Sequence, residues 1–165
     1  MPSTAVVAET EPIRTVTNLE PLFAPRSIAV VGASRTPGSV GHAIISNLVH
    51  GGFTGVVYPV NPKAKSVLGN RCVTSVSAID DPVDLAVLVI PATDVQGVVA
   101  ECADRGTRHF VVISAGFKEI GGEGLKREQD LKALATERGL TIVGPNCLGI
   151  INTAPTVAMN ATFGR

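Results

Sequence analysis

The stretch Ser27-Ile-Ala-Val-Val-Gly-Ala-Ser-Arg-Thr-Pro-Gly-Ser-Val-Gly41 decides the fold of this chain. A short apolar run leads into a glycine-rich turn, and the residues after the turn have the spacing of an amphipathic helix. A strand, a glycine turn and a helix in this order present backbone N–H groups to a phosphate. The glycines are spaced Gly32-x5-Gly38-x2-Gly41, a longer turn than the dinucleotide fingerprint Gly-x-Gly-x-x-Gly. The sequence therefore predicts a nucleotide ligand without specifying NAD.

The side chains of this turn also suit an anion. Two hydroxyls and one guanidinium add donors to the backbone N–H groups and to the positive end of the helix. Glycines between a strand and a helix also occur where the chain only reverses direction, so that interpretation stays open. We predict that the following residues contact the phosphates of the ligand: Gly32, Ser34, Arg35, Thr36, Gly38 and Gly41.

The rest of the chain alternates between short apolar runs and helical segments. The runs are rich in Val and Ile and apolar on both faces, which is typical of buried parallel strands; they are residues 28–31, 56–60, 85–90, 110–113 and 141–143. The alternation predicts an α/β, Rossmann-like fold, with a doubly wound, mainly parallel sheet and helices on both faces. In such a sheet the ligand lies outside the carboxyl ends of the strands.

Three helices have predicted ends. Ser39 is expected to cap the first helix, and Gly51 to end it in the left-handed conformation. Thr93 and Gln96 form a capping-box pair at the start of the second helix. The third helix covers about residues 123–139, with four side chains turned towards the core: Leu125, Leu131, Leu134 and Ala135.

Composition limits the class of protein. The 165 residues include 14 basic and 14 acidic side chains, so we expect no nucleic-acid partner. The 3 cysteines form no C-x-x-C pair and have no metal-ligand spacing to a histidine, which favours a reduced, cytoplasmic protein without a metal site. Residues 1–18 resemble neither a signal peptide nor a membrane span, and we expect no membrane partner. We interpret them as a mobile extension before one domain, residues 19–165.

The end of the second strand separates the candidate cofactors. An NAD site usually has an acidic residue there to bind the ribose hydroxyls, but the segment Pro59-Val-Asn-Pro-Lys-Ala-Lys65 has none. Lys63 and Lys65 instead favour an additional phosphate on the ribose, which both NADP and coenzyme A carry. The alternative is that the two lysines are solvated side chains of a loop.

Five segments of the chain carry a family resemblance. They are Val31-Gly-Ala-Ser34 with Pro37-Gly38 and Gly41, Pro59-Val-Asn-Pro-Lys63, Asp84-Leu-Ala-Val-Leu-Val-Ile-Pro-Ala92, Ile113-Ser-Ala-Gly-Phe117 and Gly144-Pro-Asn-Cys-Leu-Gly149. In this order they resemble the CoA-binding domain of the NDP-forming acyl-CoA synthetases, which include the succinyl-CoA synthetase alpha subunit and the ADP-forming acetyl-CoA synthetases. The resemblance covers about residues 19–165, and its last segment is much more specific than the glycine loop.

The resemblance implies that coenzyme A lies across the carboxyl ends of the strands. It adds Pro37 to the loop that contacts the nucleotide and Asn61 to the turn with Lys63 and Lys65. It also implies contacts after three later strands, from Ile90, Pro91, Ile113, Ser114, Ala115 and Asn146.

The resemblance further implies a reaction and partners. In this family a histidine of the following domain carries a phosphoryl group, and His42, His50 and His109 do not match its position. We therefore assign no catalytic residue here, and interpret Cys147 as shaping the pocket. We expect an ADP-forming acid–CoA ligase in which this chain binds CoA or acyl-CoA beside further synthetase domains or a subunit; a homo-oligomer stays open. The alternatives are an NAD(P)-binding oxidoreductase or redox-sensing domain, a CoA-binding regulatory domain of an acetyltransferase fusion, and a free-standing binding module.

Overall fold

A five-stranded parallel sheet is the centre of the computed structural model, which describes residues 18–164. The strands of the chain are β1 (Ser27–Val31), β2 (Val56–Val60), β3 (Ser66–Val67), β4 (Asn70–Arg71), β5 (Leu85–Leu88), β6 (His109–Val112), β7 (Thr141–Val143), β8 (Gly149–Asn152) and β9 (Met159–Thr162). The central sheet has the order β2-β1-β5-β6-β7, and each neighbouring pair is parallel. Two small antiparallel pairs, β3–β4 and β8–β9, stand outside it. The predicted α/β class and mainly parallel sheet are confirmed.

Helices cover both faces of this sheet. They are α1 (Glu20–Phe23), α2 (Val40–His50), α3 (Ala92–Asp104) and α4 (Gly122–Arg138), with 3-10 turns at Val76–Ala78 and Lys118–Ile120. One face packs against α2, α1 and the β8–β9 pair, and the opposite face packs against α3 and α4. This arrangement confirms the prediction of a doubly wound fold.

Strand β1 shows why the sequence forms two cores. All five of its residues are buried, and successive side chains point to opposite faces of a strand. Ile28 and Val30 join the core under α2, whereas Ala29 and Val31 join the core under α3. A central strand that is covered on both faces therefore reads as a continuous apolar run rather than an alternating one.

The strand order places a switch point between β1 and β5. From β1 the chain crosses to β2 on one side, and from β5 it continues through β6 to β7 on the other side. Doubly wound sheets bind ligands in the crevice that opens at such a point, outside the carboxyl ends of the two strands. The glycine turn follows β1 directly, so the topology puts it at this crevice.

Two helix ends differ from the prediction. Gly51 follows α2 with a right-handed φ of −73°, and it is Gly52 that is left-handed, with a φ of 82°. The chain therefore turns one residue later than expected. Thr93 is not a cap, because α3 starts at Ala92 after Pro91, and the Thr93 hydroxyl donates to Oδ1 of Asp94 instead. The predicted cap of Ser39 on α2 is confirmed: its Oγ accepts from the backbone N–H of His42.

Helix α4 departs from its predicted face at one position. Leu131 is buried, and Gly139 ends the helix in the left-handed conformation, as expected. Leu125 is 48% exposed and does not join the core. Among residues 18–164, no helix combines the length and the apolar character that a membrane crossing requires.

The predicted N-terminal extension lies almost wholly outside the described residues, because residues 1–17 are not described. Asn18 is described, and its carbonyl oxygen lies 2.9 Å from Nε2 of His109 at the start of β6. The extension therefore stays a prediction for residues 1–17.

Candidate functional site

The carboxyl edge of the sheet brings the predicted site segments together. Gly32 follows β1, Asn61 follows β2, and Ile90 and Pro91 follow β5. The segment of residues 113–115 follows β6, and Asn146 lies in the turn after β7. Because parallel strands end at the same edge, five separate stretches of sequence form one surface.

The glycine turn is held close to the neighbouring strands and to α2. Gly32 has a φ of 93°, and its N–H donates to the carbonyl oxygen of Val60 at 3.1 Å. A Cβ on Gly32 would overlap the carbonyl oxygen of Val89, and one on Gly41 would overlap the carbonyl oxygen of Gly32. Glycine is therefore required at both positions by close backbone approach. At Gly38 only the backbone conformation matters, because its φ is 83° and no heavy atom lies within 4 Å of a Cβ position.

The outer part of this turn presents polar groups to solvent. Ser34 Oγ accepts from the N–H of Thr36 at 3.1 Å, and the Ser39 hydroxyl donates to the carbonyl oxygen of Thr36 at 2.7 Å. The side chains of Arg35 and Thr36, and also Pro37, are exposed. The turn is thus fixed by its own hydrogen bonds, and it leaves a guanidinium free to contact an anion beside the N-terminus of α2.

A cavity of about 400 Å³ opens beside the glycine turn. It lies between the ends of β1, β2 and β5, the 3-10 turn at Val76–Ala78 and helix α3. Its lining residues include Gly32, Asn61, Lys63, Thr74, Ile90 and Glu101. Both lysines are exposed, but Lys63 lines this cavity and Lys65 does not. The geometry therefore separates two lysines that the sequence treats alike.

Sequence reasoning missed the outer wall of this cavity. Glu101 of α3 accepts from the N–H of Ser77 at 2.9 Å and from its hydroxyl at 2.7 Å. Thr74 and Ser75 line the same wall. These residues are polar and lie in segments without a motif, so only the packing of the 3-10 turn against α3 could have revealed them.

Ser114 connects three strand ends rather than facing solvent. It is 8% exposed; its Oγ accepts from the N–H of Ile90 at 3.2 Å, and its hydroxyl lies 3.4 Å from the carbonyl oxygen of Leu88. Its own carbonyl accepts from the N–H of Asn146 at 3.0 Å. Ser114 thereby fixes the edge on which the exposed residues Ala115 and Asn146 lie.

Helix α4 and the carboxylate of Glu119, which is not among the predicted site residues, hold the loop after β6 in place. Glu119 accepts from the N–H groups of Gly116 and Phe117, and the Gly116 bond contributes most to holding the pKa of this carboxyl below its usual range. Arg127 donates to the carbonyl oxygen of Gly116 at 3.0 Å. No motif in the sequence singles out this contact, because it depends on the conformation of the loop.

The turn after β7 holds Cys147 inward and Asn146 outward. Asn146 has a φ of 54° and is exposed. The Cys147 thiol lies 3.4 Å from the carbonyl oxygen of Val112, and burial raises its pKa. A raised thiol pKa disfavours the nucleophilic thiolate, in agreement with a structural role for this cysteine.

The three histidines lie apart from one another. Nδ1 of His42 is 3.1 Å from the carbonyl oxygen of Ser34, and His50 contacts Ser46 one turn before it on α2. Among the residues that the structure describes, no group of three or more His, Cys, Asp or Glu side chains could hold a metal ion. A second cavity, of about 650 Å³, lies between α4 and β7 and contains none of the predicted contact residues.

The sequence of the chain is similar to those of two ADP-forming ligases. The chain is 50% identical over 147 residues to ADP-forming acetate–CoA ligase I of Archaeoglobus fulgidus, covering 89% of this chain and 21% of that enzyme. It is 44% identical over 151 residues to the alpha subunit of ADP-forming acetate–CoA ligase I of Pyrococcus furiosus, covering 89% of this chain and 32% of that subunit. The chain therefore spans between a fifth and a third of these relatives.

A solved structure has the same fold as this chain. The dinucleotide-forming acetyl-coenzyme A synthetase 1 of Ca. Korarchaeum cryptofilum, in complex with phosphate and ADP, matches with a TM-score of 0.82 at 43% identity. The match covers 90% of this chain and 31% of that one. Residues 26–153, which include the glycine turn, the lysine turn and all five central strands, match the family described as CoA binding domain. The chain therefore belongs to the CoA-binding domain family.

Proposed function

We propose that coenzyme A binds at the carboxyl edge of the sheet, across the switch point between β1 and β5. The observation that carries this proposal is the meeting of the glycine turn and Lys63 around one cavity. The diphosphate lies against the turn of residues 32–38 and the N-terminus of α2, where backbone N–H groups and Arg35 donate to it. The ribose phosphate lies at Lys63.

The remaining parts of the cofactor take the two flanks of this edge. The adenine enters the cavity of about 400 Å³, whose wall includes Val76, Ile90 and Val98 and therefore offers apolar contact to a base. The thiol end runs over Ile90 and Pro91 towards residues 113–115 and Asn146. Asn146 then has an exposed amide that can position an acyl or phosphoryl group.

Calorimetry on the full 165-residue chain tests this assignment with three ligands: CoA, 3′-dephospho-CoA and NAD. We expect CoA to bind about tenfold more tightly than dephospho-CoA, because a charge-assisted hydrogen bond contributes on the order of 1.5 kcal/mol when partly desolvated. NAD should bind far more weakly than either. A preference for NAD would instead support the dinucleotide alternative.

Two lysine variants locate the ribose phosphate. Lys63→Met should remove the preference for CoA over dephospho-CoA, since Lys63 lines the cavity and the variant keeps the apolar part of the side chain. Lys65→Met is the matched control, and it should keep the preference. The reverse result would move the ribose phosphate to Lys65, and an unchanged preference in both variants would remove the lysines from the site.

We also propose that this chain supplies the CoA site of an ADP-forming acid–CoA ligase. The similarity to two ligases, of which the match covers 21% and 32%, supports this proposal. The reaction is acyl-CoA with ADP and phosphate giving the acid, ATP and CoA, or its reverse, and other domains or a second subunit carry the phosphoryl group. The three free thiols suit the reducing cytoplasm as the place of action. Co-expression with a matching phosphohistidine-bearing domain should restore ATP formation from acetyl-CoA, ADP and phosphate; failure with every such domain would contradict the ligase role.

A further inference from the structure

One side chain connects the glycine turn to the lysine turn. Nδ2 of Asn61 donates to the carbonyl oxygen of Ala33 at 2.6 Å. Oδ1 of the same amide accepts from the N–H of Lys63 at 2.7 Å and from that of Ala64 at 3.1 Å. Asn61 is therefore bonded to both loops that the proposed function assigns to the phosphates of the cofactor.

The orientation of the Asn61 amide is fixed by its surroundings. One end faces a carbonyl oxygen, which requires a donor, and the other end faces two N–H groups, which require an acceptor. A flipped amide would lose all three hydrogen bonds. Both ends of the amide thus bond within the protein, and together they join the two loops.

The neighbouring backbone bonds do not duplicate this link. The N–H of Gly32, the first residue of the glycine turn, donates to the carbonyl oxygen of Val60 in β2, and the N–H of Asn61 donates to the carbonyl oxygen of Val73 at 2.9 Å. These bonds fix the ends of β1 and β2, and the next backbone bond along the lysine turn is the one from the N–H of Cys72 to the carbonyl oxygen of Lys65 at 3.0 Å. Pro62 has no N–H, so the start of the lysine turn depends on the two bonds to Asn61 Oδ1.

We infer that Asn61 is a positioning residue that sets the separation between the glycine turn and Lys63, and so the discrimination between CoA and dephospho-CoA. The inference rests on the proposed function. The diphosphate and the ribose phosphate belong to one ligand with a limited range of separations. A link that holds the two phosphate-binding loops at the matching distance therefore reduces the conformational entropy that the loops lose when the cofactor binds.

The test replaces Asn61 with a neutral residue that breaks only the link. Asn61→Ser keeps a hydroxyl that can accept from the N–H of Lys63, but the shorter side chain does not reach Ala33. The matched control is Asn70→Ser, which removes an amide bond to the carbonyl of Leu68, at 3.2 Å, in the β3–β4 turn. Asn70 does not line the cavity beside the glycine turn. Calorimetry measures the affinities of CoA and dephospho-CoA for the full chain of each variant.

We expect Asn61→Ser to lower the affinity for CoA roughly tenfold and the affinity for dephospho-CoA less than about twofold. The preference for CoA over dephospho-CoA therefore falls about fivefold or more. Asn70→Ser should leave this preference unchanged. In a Lys63→Met background, Asn61→Ser should change the preference by less than about twofold, because the two residues act on the same phosphate. If Asn61→Ser does not fold, Asn61→Gln, which keeps the amide but displaces it by one methylene, should show the same loss.

Each other outcome overturns the inference. An equal loss of affinity for both ligands would show that Asn61 only supports the fold. Unchanged affinities would show that the link has no role in binding. A wild-type chain that binds CoA and dephospho-CoA equally would refute the positioning role while leaving CoA binding intact. A wild-type chain that does not bind CoA would overturn the proposed site itself.

Discussion

Gly38 and Gly41 lie three residues apart, and the structure constrains them for different reasons. A Cβ on Gly41 would overlap the carbonyl oxygen of Gly32, so α2 would have to move away from the turn. A side chain on Gly38 meets no protein atom within 4 Å, and only its φ of 83° resists substitution. Within the protein, a Cβ therefore intrudes on another atom only at Gly41. At Gly38 the group that a side chain could obstruct is the ligand.

We predict that Gly38→Val and Gly41→Ala separate binding from stability. Gly38→Val should still unfold cooperatively, although a side chain at this left-handed position lowers the free energy of unfolding by about 1–2 kcal/mol. The variant should lose the CoA-dependent rise in melting temperature. Gly41→Ala should lose roughly 1–3 kcal/mol of stability through overpacking against Gly32. Thermal unfolding of both variants with and without CoA is the measurement. A normal CoA-dependent shift in Gly38→Val would mean that the turn only reverses the chain.

At the scale of elements, α2 and α3 begin in different ways. Ser39 caps α2 through its contact with the His42 N–H, whereas α3 starts after Pro91 without a side-chain cap. We predict that Ser39→Ala lowers the free energy of unfolding by about 1 kcal/mol. Thr93→Ala should change it by less than about 0.5 kcal/mol, since Thr93 is exposed and lies inside the helix. Urea unfolding of the pair measures this, and equal losses would contradict the assigned caps.

An ion pair joins the beginnings of β1 and β5. The Arg26 guanidinium donates to both carboxylate oxygens of Asp84, at 3.0 and 3.2 Å, and these bonds hold the pKa of Asp84 below its usual range, although burial opposes them. A carboxyl whose pKa is lower in the folded state stabilises the protein above its unfolded pKa of about 3.9, and this contribution disappears as the pH falls through the folded pKa.

Asp84→Asn should therefore destabilise the chain more at pH 7 than near pH 3. Urea unfolding at both pH values, with the exposed Asp80→Asn as a control, measures the difference. The effect should be modest, because Arg26 is 87% exposed and its charge is screened by solvent. A penalty that is the same at the two pH values would show that the negative charge of Asp84 contributes nothing.

The elements also show what sequence can and cannot predict. Periodicity predicted the strands and helices because burial on one or both faces leaves a direct trace in the pattern of apolar residues. It failed for Thr93, which has the residue type of a cap but lies inside a helix that already starts at Ala92. Motifs predicted the segments of the site, but only packing distinguishes Lys63 from Lys65 and turns Asn61 inward. The role of Glu119 depends on a loop conformation that no local pattern encodes.

At the scale of the whole molecule, the order of strands explains why distant segments form one site. The glycine turn and the lysine turn are separated by α2 in sequence, yet β1 and β2 are neighbours in the sheet. The ends of β5 and β6 complete the opposite flank, and Ser114 bonds them together. A rigid sheet edge with loops fastened to it is the arrangement that holds a long, flexible cofactor at many points.

The last prediction concerns what this chain does by itself. We expect the 165-residue chain to bind CoA but to form no phosphohistidine when mixed with ATP, or with acetyl phosphate and CoA. His109 is buried against Asn18, and Nδ1 of His42 faces the carbonyl of Ser34, so neither is placed like a phosphoryl carrier between two substrates. His50 is exposed at the end of α2, on a different part of the chain from the turn of residues 32–38.

Intact mass measured under alkaline conditions, which preserve phosphohistidine, is the direct readout, and calorimetry with CoA on the same sample shows that the binding site is formed. His42→Gln is the informative variant because His42 lies nearest to the glycine turn. A phosphorylated wild-type chain that becomes unmodified in His42→Gln would place phosphoryl transfer within this domain. That result would contradict the division of labour proposed here, in which the sheet edge holds CoA and another domain carries the phosphoryl group.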